Sequence, residues 1–325
     1  MTVARQLEDW LTDRARQRRS RAGADAFALG WNEGPIHRGF EAALADLPEQ
    51  SAEALAGAVG VLFADDAWVD ALIAGLAAKL RDDPFFDPPF RALNSDVHGG
   101  LIVFEDERLS IAAGVSARAD LAAKKNVKRG ATSIGFTGRV SVIKFLKSGG
   151  ARLAFWEAPP ITSGFSAAAA GRCAPVGTRE PADGEILVVD GRRQSFVIEH
   201  ARANILLLQA EISLDRAPLS VEYDSVSRGY VGCSANGDGA SRIQMITTLL
   251  RKLDCAAAVP AMTALLDHPD FFVRWHVMKE MLGLDAAASL PHLRRMAARD
   301  PHPEPRRAAR AVLDRLDAPR PRRAA

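Results

Sequence analysis

EILVVDGRRQSFVIEHARANILLLQAEI, residues 185–212, is the stretch on which the reading of the fold turns. It holds three apolar runs cut by two turn signals. The runs are roughly four to eight residues long and rich in Val, Ile, Leu and Phe, which suits strands rather than helices. Between Val189 and Arg192 stands Asp190-Gly191, a pair that tolerates the positive φ of a tight hairpin turn. Residues 201–204 form a weaker second turn. The expectation is an antiparallel meander at the heart of a β-domain, with helices before and after it.

Working upstream, residues 101–105 and 109–115 read as strands around Asp106-Glu107. Residues 133–146 and 152–156 flank the turn signal Lys147-Ser-Gly-Gly150. An Ala/Gly/Ser-rich connection covers 161–184, and 221–231 adds a last strand downstream. Six to eight strands joined by short turns, over about 140 residues, predict a closed barrel or a double-sheet jelly roll, with a sandwich as the near alternative.

Within this region Pro181-Ala-Asp-Gly184 leads into a strand. That turn resembles the second motif of the cupin superfamily, where a Pro-x-Gly turn precedes a metal-binding histidine. Here the following run is Ile186-Leu187-Val188, without the histidine. The paired His-x-His of the family's first motif is also absent from 133–156. What resembles the family is turn placement and strand spacing across residues 93–235. The resemblance implies a small jelly roll, and the departures remove its metal ligands.

At 325 residues the chain has room for two or three domains. Forty-two basic residues against forty acidic ones give a net charge of +2, so the molecule as a whole is no polycation. Its basic residues cluster at 14–21, 124–129, 306–310 and 320–323. Cys173, Cys233 and Cys255 are odd in number and far apart, which reads as reduced thiols rather than a disulfide framework or a zinc site. MTVARQLEDW lacks the apolar region of a signal peptide, and no run approaches the roughly 18–20 residues of a membrane span. A cytoplasmic protein is expected.

Residues 1–92 read as helical. Leu7, Trp10 and Leu11 give the first helix an apolar stripe, and the arginines at 14–21 read as its solvated end. Residues 31–37 read as a loop, and His37 as a surface or packing residue. Ser51 is the expected cap of a helix over 51–63, and Asp65 or Asp66 of the next. Pro84, Pro88 and Pro89 stop helical structure, leaving Phe85, Phe86 and Phe90 to dock this linker onto the following domain.

After Gly237–Gly239 the helical period returns, with an internal repeat. His268-Pro-Asp-Phe-Phe-Val273-Arg274 precedes a helix with Val277 and Met281 inward. Asp300-Pro-His-Pro-Glu-Pro305-Arg306 precedes one with Ala309 and Leu313 inward. Val259-Pro260 and Leu290-Pro291 are expected to open the preceding helices, and Ser241-Arg242 heads the second helix of an earlier, degenerate unit. Over about residues 241–318 this resembles HEAT repeats, which implies stacked helix pairs that present a surface to other proteins.

The residues that could carry chemistry lie on or beside strands. His98, Glu157, His200 and Glu211 are the candidate ligand-binding set, with Glu199 beside them. Two histidines and a carboxylate around an open position would make a non-haem iron site, and Asp96-Val-His98 has a fitting spacing. His98 precedes the first clear strand, however, and no metal or other cofactor is expected. There is no Cys–His pair and no Gly-x-Ser-x-Gly. Lys124, Lys125, Lys128 and Arg129 read as a solvated loop or an anion site. They lack the Gly-x-x-x-x-Gly-Lys-Ser/Thr order of a nucleotide cradle. In the repeats, Arg274 and Arg306 follow equivalent turns. They form either a ladder holding the units in line or, with Arg307, Arg310 and Trp275, a basic ridge for an acidic partner.

The chain is therefore expected to be an α+β multidomain protein. It comprises a helical N-terminal region (1–92), a cupin-like antiparallel β-barrel or jelly roll (93–235), HEAT-like α–α repeats (236–318) and a disordered basic tail (319–325). The favoured function is a non-catalytic binding, regulatory or scaffold protein that contacts another protein through its repeats and holds a small ligand or peptide in its barrel. Membrane and nucleic acid are not expected partners. The alternative is a metal-dependent cupin-like enzyme of the oxygenase class, whose repeats position a macromolecular substrate.

Overall fold

The computed structural model describes residues 3–47, 50–94, 98–121 and 133–317. The anion-site candidates Lys124, Lys125, Lys128 and Arg129, Asp96 and the tail at 319–325 lie outside the described residues. Helices stand at both ends of the chain and antiparallel sheets between them, as the α+β reading expects. No helix among the described residues is long and apolar enough to cross a membrane.

Five helices lead: α1 (Val3–Thr12), α2 (Arg14–Asn32), α3 (Pro35–Ala45), α4 (Ala52–Ala64) and α5 (Ala67–Asp82). The Asp13 carboxylate accepts from the backbone N–H of Ala15 and of Arg16, at 2.9 Å each. The basic run therefore opens α2 rather than closing α1. Ser51 caps α4 as expected, accepting from the Ala54 N–H at 3.2 Å. Phe85 stacks on Trp10, and Phe86 and Phe90 meet Phe27 edge-on. These rings belong to α1 and α2, so the proline-rich segment packs back onto the helices that precede it.

Twelve strands follow among the described residues: β1 (Arg91–Asn94), β2 (His98–Glu105), β3 (Leu109–Ser116), β4 (Ser133–Phe136), β5 (Val140–Lys147), β6 (Arg152–Glu157), β7 (Ala174–Arg179), β8 (Ile186–Asp190), β9 (Gln194–His200), β10 (Ile205–Ile212), β11 (Leu219–Asp224) and β12 (Tyr230–Ala235). They form a six-stranded sheet in the order β1-β2-β3-β10-β5-β8, a three-stranded sheet β7-β6-β9 and another, β12-β11-β4.

The deciding stretch folds as three strands, but not as a meander. β8 pairs with β5 in the six-stranded sheet, β9 pairs with β6 in the β7-β6-β9 sheet, and β10 returns to the first sheet between β3 and β5. Asp190-Gly191 is thus a corner between sheets. Its fastening is a side chain: the Asp190 carboxylate accepts from the Arg192 backbone N–H (3.1 Å) and guanidinium (2.7 Å). The cause is burial. Leu187 and Val189 of β8 pack in one core with Phe196 and Ile198 of β9, and a flat meander would spread those residues over one surface.

Other strand boundaries also move. The run at 133–146 breaks at Gly138, whose φ is +69° and whose missing Cβ would lie 2.5 Å from the Leu219 carbonyl oxygen. The connection at 161–184 contains β7, and 221–231 spans parts of two strands. His98 does not precede the first strand but begins β2, which pairs with β1.

The chain divides into two compact units that cut across the linear boundaries at 92 and 235. One comprises residues 1–134, 139–157 and 174–216, the other 135–138, 158–173 and 217–325. In the first unit the N-terminal helices share a core with the six-stranded sheet. Phe40, Leu55, Val59, Phe63 and Trp68 meet Val142, Leu208 and Ala210. The opposite face of that sheet packs on the β7-β6-β9 sheet through Ile143, Phe145, Leu153 and Leu207. β5 is buried on both faces. Lys144, facing the helices, is reconciled with burial by donating to the carbonyls of Phe63 (2.6 Å) and Ala64 (3.2 Å) and pairing with Asp66 (2.9 Å). It thereby occupies the C-terminal, negative pole of α4.

The second unit holds most of the third sheet and the helices α6 (Asp238–Lys252), α7 (Val259–Thr263), α8 (Phe271–Leu284), α9 (Ala286–Arg299) and α10 (Pro303–Asp317). Val273, Val277 and Met281 are fully buried, with Leu293 and Ala309 in the same core, as the inward face of the repeat predicts. Pro260 stands in the first turn of α7. Pro291, in contrast, lies inside α9, because Asp285 caps that helix earlier by accepting from the Ala288 N–H at 2.9 Å.

Candidate functional site

A cavity of about 290 Å³ lies on the inner face of the six-stranded sheet, lined by β1, β2, β3 and β10. Its origin is a column of small residues on β3. Ser110, Ala112, Gly114 and Ser116 alternate with Leu109 and Ile111, which point to the helices. Side chains two apart share a face, so this face of β3 carries almost no volume and the neighbouring strands cannot fill the space. Ile102 of β2 and Leu207 of β10 supply apolar walls.

Two of the expected ligand-binding residues line this cavity. Glu211, on β10, stands opposite Ser110 of β3 and Ser141 of β5. Its Oε1 accepts from the Ser141 hydroxyl at 2.7 Å and from the Gln209 amide at 2.6 Å. Burial pushes its pKa up. Those two hydrogen bonds and the attraction of Arg139 pull it down by less, so the net direction is upward. Burial thus biases the carboxyl toward its neutral form, and both donors meet Oε1. At the other end, His98 Nδ1 lies 2.5 Å from the Ser116 hydroxyl.

The register decides whether His98 and Glu211 can act on one atom. His98 faces Ser116, and Glu211 faces Ser110. Six strand residues separate those positions, about 20 Å at the usual rise. The two side chains therefore mark opposite ends of an elongated cavity and do not fit a shared metal. Among the described residues, no group of three or more His, Cys, Asp and Glu side chains is placed to hold a metal ion.

Glu157 and His200 are not brought into the cavity. Both are exposed at opposite ends of the β6–β9 pair, where Arg152 faces His200 and Glu157 faces Gln194. His200 is thus a strand-end residue. Glu199 is exposed too and pairs with Arg152 at 3.1 Å. The residues missed in the sequence are Gln209, Ser141 and the β3 column. The signal for the column was present, as Ser, Ala or Gly at every second position of a strand whose other residues are Leu109, Ile111, Ala113 and Val115.

In the C-terminal helices Arg274 does not form part of a basic ridge. It is 4% exposed, bonds both oxygens of Asp300 (2.9 and 2.7 Å), and donates to the carbonyls of His268 (2.7 Å) and Pro269 (2.9 Å). Arg306 donates to the Asp300 carbonyl, six residues back, just as Arg274 reaches His268. Each arginine fastens its own turn, and Arg274 also ties that turn to the next. A guanidinium buried without its carboxylate would be costly, which explains why it turns inward. Trp275 is half-buried against the core of the stack. Arg307 and Arg310 are exposed, Arg310 donating to the Ala297 carbonyl at 3.1 Å.

Residues 233–314 match the family model described as HEAT repeats. A comparison with curated proteins returns no match. Among solved structures, an ectoine synthase from P. lautus overlaps 38% of this chain and 69% of its own, at 11% identity and a TM-score of 0.22. A cupin domain from Bordetella pertussis Tohama I overlaps 37% of this chain and 98% of its own, at 11% identity and a TM-score of 0.21. Overlaps as loose as these carry no chemistry from either protein to this one.

Proposed function

We propose that this is a non-catalytic binding protein of the regulatory or scaffold kind, acting in the cytoplasm. Its β-domain takes an elongated, largely apolar small molecule, and its HEAT-like stack contacts another protein. The observation that carries the reading is the cavity itself. It has apolar walls, one carboxyl held toward its neutral form at one end, and an imidazole at the other. Ligand sites have this composition, with few polar groups fixing orientation in an apolar hollow. In its protonated form the Glu211 carboxyl can donate, so the ligand proposed carries an acceptor such as an amide or ketone carbonyl at that end. The HEAT match supports the protein contact.

The test is thermal stabilisation by medium-chain primary amides, alcohols and carboxylates. Amides are expected to raise the melting temperature of the parent, carboxylates less so, and neither should act on Ala112→Phe, which fills the cavity. Equal stabilisation of Ala112→Phe would remove the cavity from the reading. The rival, a metal-dependent oxygenase, would have to place its metal at His98 without Glu211, which stands about 20 Å along the strands. One equivalent of iron, manganese or zinc in purified protein, lost in His98→Ala, would favour it over the binding reading.

A further inference from the structure

A second cavity, of about 270 Å³, opens in the C-terminal stack between the turn before α8 and the last turn of α9. Its floor is the buried Arg274–Asp300 pair, with Leu266 and Met296 as apolar wall. Both of its carboxylates are already committed. Asp300 is held by Arg274, and Asp267 is bonded by Arg295 at 2.7 Å. Two basic side chains remain on the lining, His292 and Arg299. Neither makes a hydrogen bond or ion pair among the described residues. A last-turn arginine suits the dipole of α9, but that attraction asks nothing of His292, two helical turns back on the same lining.

We propose that this notch receives an acidic side chain from an extended segment of a partner protein. Arg299 and His292 hold the carboxylate, and the adjoining apolar atoms rest on Leu266 and Met296. The proposal rests on the reading that the stack docks a protein, and says where and by what chemistry. Charge complementarity selects a carboxylate, because the notch holds uncommitted donors and no uncommitted acceptor carboxylate. The apolar wall and the aspartate at the rim favour a peptide over a nucleic-acid backbone, which needs a run of unmatched cations.

The experiment uses the full chain and three fluorescein-labelled probes of equal length. One is a peptide alternating Glu and Leu, the second has Gln at each Glu, and the third is an oligodeoxythymidylate. The Glu peptide is expected to bind about tenfold more tightly than the Gln peptide, and Arg299→Gln to lose about that factor with melting lowered only by the lost dipole contact, the size expected of one charge-assisted contact. His292→Ala should weaken binding by less, and rising salt should weaken it further. Equal binding of the Glu and Gln peptides, binding untouched by Arg299→Gln, or binding of the oligonucleotide alone overturns the notch. Peptide binding lost only in Arg307→Glu/Arg310→Glu also overturns it, yet leaves protein docking standing on the outer ridge. If neither peptide binds, the notch falls, and docking is then judged by the ridge variant alone.

Discussion

Glu211 in the sheet and Arg274 in the helical stack are both ionisable side chains carried below the surface, and their surroundings treat them in opposite ways. Arg274 is met by a carboxylate in bidentate geometry and by two carbonyls. Glu211 is met by two neutral donors, and burial outweighs both these and the through-space attraction of Arg139. The first arrangement closes a joint and leaves nothing over. The second leaves an oxygen and a hollow beside it. A buried polar group that is fully partnered therefore speaks of assembly, while one partnered only on a single atom beside a cavity speaks of a ligand.

The largest expected effect breaks the closed side of this contrast. Asp300→Ala strands the buried guanidinium and should destabilise the second unit by about 3–5 kcal/mol in denaturant unfolding. Arg274→Met with Asp300→Leu, which removes both charges, should recover most of that loss. If Asp300→Ala costs less than about 1 kcal/mol, the pair does not hold the repeats.

Glu211→Gln tests the open side, and the sign is opposite. Because its native pKa is raised, Glu211 contributes stability that is fully present below the ordinary glutamate value of about 4.3. That contribution is lost as pH rises toward the raised native pKa. Glu211→Gln should therefore be more stable than the parent at neutral pH, with the gap closing toward pH 4. A gap that widens on acidification would mean the carboxyl is ionised and paired.

A smaller effect separates the two units by pH. Burial lowers the pKa of His302 and of His276, outweighing the pull of Glu304 and of Glu280. Their contribution is present above about pH 6.5 and is lost as pH falls through their depressed values. Between pH 7 and pH 5, amide exchange in α8 and α10 should quicken, while β3 and β10 keep or gain protection. The smallest effect is on the outer ridge. Arg307→Glu/Arg310→Glu should change melting by less than about 0.5 kcal/mol, and any loss of partner binding then reports contact rather than folding.

What the sequence disclosed follows from the same contrast. The repeat was legible because each unit rebuilds one local contact set. Arg274 donates to the carbonyl of His268 and Arg306 to the carbonyl of Asp300, each six residues back, so the motif appears twice in the chain. The strands of the deciding stretch were legible from composition, but not their partners. Asp190-Gly191 looks the same in a hairpin and in a corner between sheets, and only the distant pairing of β8 with β5 and β9 with β6 tells them apart. Glu211 and His98 stood out as polar residues on strands, but the six-residue offset between them exists only once β2, β3 and β10 are in register. Ser110, Ala112, Gly114 and Ser116 passed unread because small residues attract notice only when something is known to be missing beside them.

The placement of β10 between β3 and β5 has a consequence for synthesis on the ribosome. β3 emerges early, and its neighbour begins at Ile205, about 90 residues after β3 ends. At roughly 5–20 residues per second, the nascent chain carries that strand edge without its final partner for some 5–20 seconds. During that interval the backbone of Leu109–Ser116 is a template for any other extended chain nearby. Pauses or slow codons between these two strands should therefore lower soluble yield more than the same delays placed after residue 212.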